Sequence, residues 1–337
     1  MKRLVIFACA FALCPLFASA QQCGNYTGPF FTDGFGPPDK GFRQDPDITL
    51  PPDSTALSLT VTEPLNNSTV GTRTIQVYGN FTGPPAAGVA INRIPAVQTE
   101  SNFVGMVVLK PGANTITVKV TKLTGESDTI TRTVTYDPKQ PDDVDFTSEI
   151  QGEHVPIKPR FYLNVKSGLV ITRVQVDFDG DTIDDLDAIA VPGNLRFEYK
   201  LPGFFTVRAI VTLDDGDPQT PVVVRTVNRK FAVLPLPLTR KTLCYVFYRM
   251  KNRLIANDIP DALKSLNSEL RDEWQQEFEQ MGDLTIVGPR LGEVANGKLG
   301  IRVSELDLRL QNVVSGPGGA SITFERSLDG VWRITSL

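Results

Sequence analysis

Residues 102–121 read NFVGMVVLKPGANTITVKVT, and the fold turns on this stretch. Ile116, Val118 and Val120 alternate with Thr and Lys, a period of two that suits a strand with one buried and one wet face. Pro111-Gly112 supplies a turn ahead of it, and Asn114 can bond its own backbone there. The same grammar runs outward in both directions: Leu57, Leu59, Val61; Ile75, Val77; Val89, Ile91; then Ile130, Val134, Tyr136. Short alternating runs separated by turn residues predict a small antiparallel β-sandwich over residues 57–137.

A proline- and aspartate-rich joint, DPKQPDDVD (Asp137 to Asp145), follows, and a second set of strand patterns fills residues 142–233. Within it, VQVDFDGDTIDDLD (Val174 to Asp187) places six aspartates directly after an alternating apolar strand. Such a stretch is either a calcium loop or a solvated turn. Calcium takes six to eight oxygens, which alternate carboxylates around a tight turn can supply. An EF-hand would need Gly at the sixth place from Asp177 and Glu at the twelfth. Thr182 and Ala188 stand there, so that motif is excluded. The candidate calcium ligands are Asp177, Asp179, Asp181 and Asp184, joined by Asp215 from the LDDGDP turn of the same unit.

From Thr239 the pattern changes. Leu243, Phe247, Met250 and Leu254 recur at helical spacing, Asp258 with Pro260 marks a second helix start, and Leu270, Trp274, Phe278 and Met281 form another stripe ended by Gly282. Strand patterns then run Leu299 to Val303, Leu306 to Leu310, Ile322 to Phe324 and on to the C-terminus. Parity slips between Val303 and Leu306, which predicts a bulge or bend.

Three resemblances attach to these units. VTEPLNNSTVGTRTIQVYGNF, VAINRIPA and the Leu-x-x-Gly-x-Asn-x-Ile-x-Val run at Leu109 to Val118 resemble bacterial immunoglobulin-like modules of secreted proteins, in which that run is a hairpin, so the resemblance implies one here. Phe197, Tyr199, Pro202, Gly203, Phe205 and Val207 are similar to the second motif of polycystic-kidney-disease (PKD) repeats, whereas Val176 stands in place of that family's tryptophan. Residues 239–337, helices first and then strands ending in Asp-Gly-Val-Trp-Arg-Ile, resemble nuclear-transport-factor-like cone domains. That last likeness implies an enclosed pocket, used in some relatives for catalysis by an Asp, Tyr or His. Tyr245, Tyr248, Arg249, Asp307 and Arg309 are the residues here that could line one. The alternative is that both tyrosines pack on the sheet and the charged groups are solvated.

The ends and the composition bound the function. MKRLVIFACAFALCPLFASA has two basic residues, a short apolar run broken by Pro15 and an Ala-Ser-Ala close. That is the pattern of a cleaved secretory signal over residues 1–20 rather than a membrane anchor. Without it, 32 basic residues stand against 38 acidic ones, a formal charge of −6. No basic stripe is present, so nucleic acid is not an expected partner. His154 is the one histidine, which excludes multi-histidine metal sites and makes a loop role the expectation. Residues 21–56, rich in Gly, Pro and Asp, predict a flexible tether. Cys23 and Cys244 remain after signal cleavage, and an oxidising compartment would favour joining them.

The expected fold is mostly β, two tandem immunoglobulin-like β-sandwiches followed by an α+β cone-shaped domain. The expected role is an exported, non-enzymatic binding protein with a protein or glycan partner at the cell envelope, periplasmic, cell-surface or extracellular. The alternatives are an enzyme or small-molecule sensor using the cone pocket, and a carbohydrate-binding accessory protein.

Overall fold

The computed structural model describes residues 31–32, 49–309 and 319–337. The expected signal segment and Cys23 lie outside the described residues, as does the Arg309 side chain. The chain is mostly β, with helices confined to the C-terminal third. Among the described residues no helix is long and apolar enough to cross a membrane.

A two-residue strand β1 (Phe31–Thr32) precedes the first unit. That unit contains β2 (Ser58–Glu63), β3 (Ser68–Val70), β4 (Thr74–Thr82), β5 (Gly88–Ile91), β6 (Ile94–Pro95), β7 (Val97–Gln98), β8 (Asn102–Val108), β9 (Gly112–Thr121) and β10 (Ser127–Tyr136). They form two sheets, β2-β4-β8-β7 and β3-β10-β9-β5-β6. The alternating residues meet between them: Leu59, Val61, Val77 and Phe81 from one sheet pack against Ile116, Val118, Val120 and Val134 from the other. Gly79 is needed on β4, because a Cβ there would lie 1.9 Å from the Thr60 carbonyl oxygen of the neighbouring strand.

One expectation fails at the opening stretch. β8 and β9 are not a hairpin; they belong to different sheets, and the Leu109-Lys-Pro-Gly turn carries the chain across the sandwich. β9 pairs instead with β10, Thr121 opposite Ser127. Asn114 does hold the turn, accepting from Lys110 N at 2.9 Å and donating to the Lys110 and Gly112 carbonyls.

The second unit contains β11 (Val144–Ser148), β12 (Gly152–His154), β13 (Arg160–Val165), β14 (Val170–Asp177), β15 (Leu186–Ala188), β16 (Leu195–Arg196), β17 (Gly203–Asp214) and β18 (Val223–Leu234). Its sheets are β11-β13-β16 and β12-β18-β17-β14-β15. Aromatic rings fill the space between them. Tyr199 stacks on Phe231 at 5.0 Å and meets Phe197 edge-on at 4.9 Å, while Phe161 touches Phe146, Phe178 and Phe231. The Tyr199 hydroxyl is satisfied by the Phe178 carbonyl at 2.8 Å, as a buried phenol requires.

The third unit opens with α1 (Leu236–Ile255), α2 (Ile259–Ala262), α3 (Arg271–Gln280) and α4 (Leu284–Arg290). β19 (Glu293–Leu299), β20 (Val303–Arg309), β21 (Gly319–Arg326) and β22 (Trp332–Ser336) follow, in the sheet order β1-β19-β20-β21-β22. Leu243, Phe247, Met250 and Leu254 of α1 are all buried against Leu306, Leu308, Ile322, Phe324 and Ile334, worth on the order of 1.5–3 kcal/mol for each large side chain. Asp258 caps α2 by accepting from Asp261 N at 3.2 Å. The α3 stripe is only partly used: Phe278 is buried, but Met281 is 38% exposed. The predicted bulge near Val303 is not there either. β20 and β21 pair without interruption from Val303 to Arg309, and the parity slip arises because Leu299 ends β19 while Val303 faces outward after a turn.

The three units lie against one another rather than on a string. Val104, Ala232 and Leu234 form a buried seam with Tyr78, Val97, Phe204 and Ile301, drawn from all three. Backbones touch at Gly88 and Gly330, where a Cβ on Gly88 would lie 2.1 Å from the Gly330 carbonyl carbon. Parts of the expected tether also dock. β1 pairs in parallel with β19, Phe31 opposite Lys298, and Leu50, Pro51 and Thr55 line a cleft with Leu238 and Thr242 of α1. Between the second and third units the chain is not an open linker, because Leu234 is buried and α1 begins at Leu236.

Candidate functional site

The aspartate loop leaves the end of β14 and is held by its own side chains. Asp177, 2% exposed, accepts from Gly180 N at 2.7 Å and Thr182 N at 3.0 Å, with Arg208 Nη2 at 3.4 Å. Asp185 accepts from Phe178 N at 2.8 Å. The carboxylates of Asp177, Asp179 and Asp185 approach within 4.8 Å of one another. Burial raises the Asp185 carboxyl above its ordinary value; the Phe178 N–H works against this, and the charges of Asp179, Asp177 and Asp181 add to it. The three acids therefore carry the mutual repulsion that a cation would relieve. The expected calcium set differs from this cluster at four positions. Asp185 joins it. Asp184 turns to Gln175 at 2.6 Å and Arg208 at 3.7 Å, and Asp181 folds back on Ile183 N at 2.8 Å. Asp215 is remote: Asp177 lies opposite Arg208, but Asp214 lies opposite Val170 at the far end of β14. That separation is roughly 20 Å of strand.

On α1 the predicted pocket residues divide into two networks. The Tyr248 hydroxyl donates to Glu293 Oε2 at 2.6 Å and accepts from Val294 N at 3.3 Å. The buried Lys251 ammonium donates to Glu293 Oε1 at 3.0 Å and the Gly292 carbonyl at 2.7 Å. Arg249 grips Asp261 through its carboxylate at 2.7 Å and its carbonyl at 3.0 Å, and Tyr245 lies beside Arg249 and Asp53. Burial pushes both tyrosine hydroxyls well above the ordinary range. Asp53 adds to this at Tyr245, and the Glu293 bond adds to it at Tyr248. Asp307 is not with them: Leu306 and Leu308 are buried, so parity turns the exposed Asp307 to the opposite face of β20. The structure brings Tyr245 and Arg249 together, and leaves Tyr248 and Asp307 apart from that pair.

His154 is no loop residue. It ends β12, is 3% exposed, and its Nε2 lies 2.8 Å from Thr239 Oγ1 at the start of α1. Its Nδ1 lies 3.2 Å from Glu153 Oε1. Burial works upward on the Glu153 carboxyl, and the His154 contact outweighs it to hold the value below normal. Cys244 is buried; the remaining cysteines, Cys23 among them, lie outside the described residues.

Sequence reasoning missed the junctions between units. Gln76 points away from its own sandwich core yet is only 8% exposed. Its amide donates to Gln151 Oε1 and the Lys230 carbonyl and accepts from Lys230 N, each at 2.7 Å. The Lys230 ammonium sits 5.5 Å from the Tyr78 ring centroid and 5.7 Å from that of Phe204. Clefts open along the same seams. One of about 730 Å³ lies between the two sandwiches around Gln76, Asp143 and Asn228. Another, of about 600 Å³, involves all three units, with Ile301 and Arg302 contributed by the third. The only local signal was an amide and an aromatic on a strand face that pattern alone reads as wet.

No family model and no curated protein matches the chain. Solved structures similar to it include fibronectin-III-like modules of Clostridium thermocellum CbhA, 14% identical over 54% of this chain and 96% of that one, TM-score 0.20. Domains 5-6 of the S-layer protein SbsC are 11% identical over 54% and 99%, TM-score 0.25. The Bacteroides ovatus protein SGBP-B, solved with a mixed-linkage heptasaccharide, is 13% identical over 54% and 47%, TM-score 0.18. These neighbours are β-sandwich modules, and superpositions this loose say nothing of ligand or partner. The sandwich architecture of the first two units stands on their own sheet order and cores.

Proposed function

We propose that the chain is an exported binding protein that engages a partner at the seams between its units rather than through chemistry inside the C-terminal one. The observation that carries this is where the open volume lies. The clefts run along unit boundaries, while the titratable groups of α1 are engaged with one another and the space beneath α1 is filled by Phe247, Met250, Leu306 and Phe324. A pocket enzyme needs an acid or base aimed at open volume. Tyr245, Tyr248 and Arg249 are instead engaged with Asp53, Glu293 and Asp261. An aromatic sugar platform finds little support from the tryptophans, since Trp332 is 2% exposed and Trp274 packs on Phe278. Relatedness of the second unit to PKD repeats and of the third to cone domains belongs to the same proposal. So do the signal over residues 1–20, the domain limits 57–137, 142–233 and 239–337, and the Cys23–Cys244 bridge. Calcium enters it as a stiffener of the loop, held by Asp177, Asp179 and Asp185.

The test is site-specific photocrosslinking in the native host. A crosslinking side chain goes at Ser101 and Asn228, both exposed on cleft rims, with Ile189, 84% exposed and away from any seam, as the control. A defined adduct at the rim positions and none at Ile189 is expected, from exported protein. Labelling no stronger at the rims than at Ile189 removes the proposal.

A further inference from the structure

Arg326 ends β21 where the third unit meets the first sandwich, and it is not treated like the other enclosed arginines. Arg333 makes a two-pronged pair with Asp329 at 2.7 and 2.8 Å, and Arg249 pairs with Asp261. Arg326 lies over the buried Trp332 indole, 4.9 Å from guanidinium carbon to ring centroid. Its side-chain hydrogen bond runs from Nη1 to the Gly330 carbonyl at 3.2 Å. Nε is sealed from solvent with no partner, and among the described residues no carboxylate reaches ion-pair distance. Arg326 keeps part of its surface in water, and the burial of the rest, without a counter-charge, pushes its pKa down to about 10.

Arg326 lines a cleft of about 320 Å³ together with Phe81, Pro84, Leu238 and Trp332, at the small end of ligand pockets, and also borders the wider cleft between the first and third units. Other polar groups on its wall are already engaged. Gln98 accepts from Val89 N and donates to the Ala87 carbonyl, Thr239 is bonded to His154, and Thr242 donates to the Leu238 carbonyl. Glu100 also lines the cleft but is exposed to water. Arg326 is thus the one cation on this wall, beside an apolar surface made by Phe81, Pro84 and Leu238.

We propose that this cleft binds a small apolar monocarboxylic acid, its carboxylate on the Arg326 guanidinium and its hydrocarbon body against Phe81, Pro84 and Leu238. This rests on the reading that ligands enter at unit junctions and names a ligand class for one of them. With Nε sealed away and Nη1 shared with the Gly330 carbonyl, the outer Nη groups would meet the carboxylate with charge assistance. The single interior cation, with Glu100 also on the wall, selects against a second negative group.

The experiment titrates the full chain with 3-phenylpropanoate, octanoate and neutral 3-phenylpropanamide, read by calorimetry and tryptophan fluorescence. An acid should bind and the amide should bind about tenfold more weakly or worse, the loss expected when charge assistance is removed. Arg326→Gln should lower acid affinity by about tenfold or more. Arg326→Lys should fall between, having charge without the planar fork. Because Arg326→Gln could disturb folding, Ser101→Trp at the exposed rim narrows the cleft without touching the arginine and should also abolish binding. Equal affinity for acid and amide, acid binding unchanged in Arg326→Gln and Ser101→Trp, or no acid binding at millimolar concentration would each overturn the proposal. A chain that ignores the acids but crosslinks a partner at Asn228 loses this site and keeps the junction reading. A chain that binds the acids but gives no rim adducts does the reverse.

Discussion

Replacing Gln76 by Leu tests whether the sandwiches are one body or two. The wild-type amide makes three hydrogen bonds of 2.7 Å across the seam, two donated and one accepted. At a net worth of about 0.5–1.5 kcal/mol each, their sum is about 1.5–4.5 kcal/mol. Leu recovers part of that by burying a hydrocarbon side chain, and water can reach the half-buried Lys230. The expected net loss is therefore about 2 kcal/mol. Gln76→Glu should be worse, since it keeps the bond from Lys230 N but places a charge against the Lys230 carbonyl and loses both donated bonds. Denaturant unfolding followed separately by a first-unit and a second-unit probe is the assay. The wild type should give coincident transitions, and Gln76→Leu should separate them while lowering the midpoint. A stability within about 0.5 kcal/mol of wild type, the range of an ordinary surface change, with transitions still coincident, would refute the idea that this amide couples the units.

If calcium occupies the aspartate loop, saturating metal should raise the melting temperature of the wild type and leave Asp185→Asn unmoved. A raised acid is most stabilising when protonated, so stability should fall as pH rises through the elevated Asp185 value. In chelator at neutral pH, Asp185→Asn should then be the more stable protein, and the opposite order would dismiss the repulsion argument. Burial works upward on Asp261, but the hydrogen bonds from Arg249 and Lys264 outweigh it and hold the carboxyl below its ordinary value. Its contribution is present above the unfolded carboxylate value and lost as pH falls through the lower folded one. Asp261→Asn should flatten that acid limb of the stability curve, and an identical limb would exclude the network as its source. Alkylation of unfolded, unreduced protein followed by peptide mapping should find Cys244 linked to Cys23; quantitative labelling of both thiols would end that pairing. Limited proteolysis should spare Leu234 to Thr239 until the protein unfolds, because Leu234 is buried and α1 has already begun. Early cleavage there would contradict the docked arrangement.

The strands were legible because one face of each was apolar at period two: Ile116, Val118 and Val120 declare their own burial. So was the α1 stripe from Leu243 to Leu254. What lay beyond reach was the second face. Gln76, Tyr78 and Val104 turn outward from their own core, and nothing local says that β18 covers them. Pairing of strands in space was equally hidden. The likeness around Pro111-Gly112 implied a hairpin, but the same bend also serves to cross from one sheet to the other. In the aspartate loop adjacent residues differ in membership. Thr182 sits at φ 75° within the loop, and Asp185 rather than Asp184 joins Asp177 and Asp179. Composition alone suggests carboxylates in plenty but not which of them converge.

The parallel pairing of β1 with β19 has a mechanical consequence. Phe31 and Thr32 from near the start of the chain lie on the same sheet that ends in β22. Tension applied between the two ends would enter and leave through this one sheet. Both sandwiches would hang in the slack between, unloaded until β1 is sheared from its neighbour. A protein wired in this way does not behave as a chain of springs under pull. With the Cys23–Cys244 bridge reduced, it would first show one small, early rupture, and only afterwards the extension of the units that the rupture had shielded; with the bridge closed, the force would bypass both sandwiches.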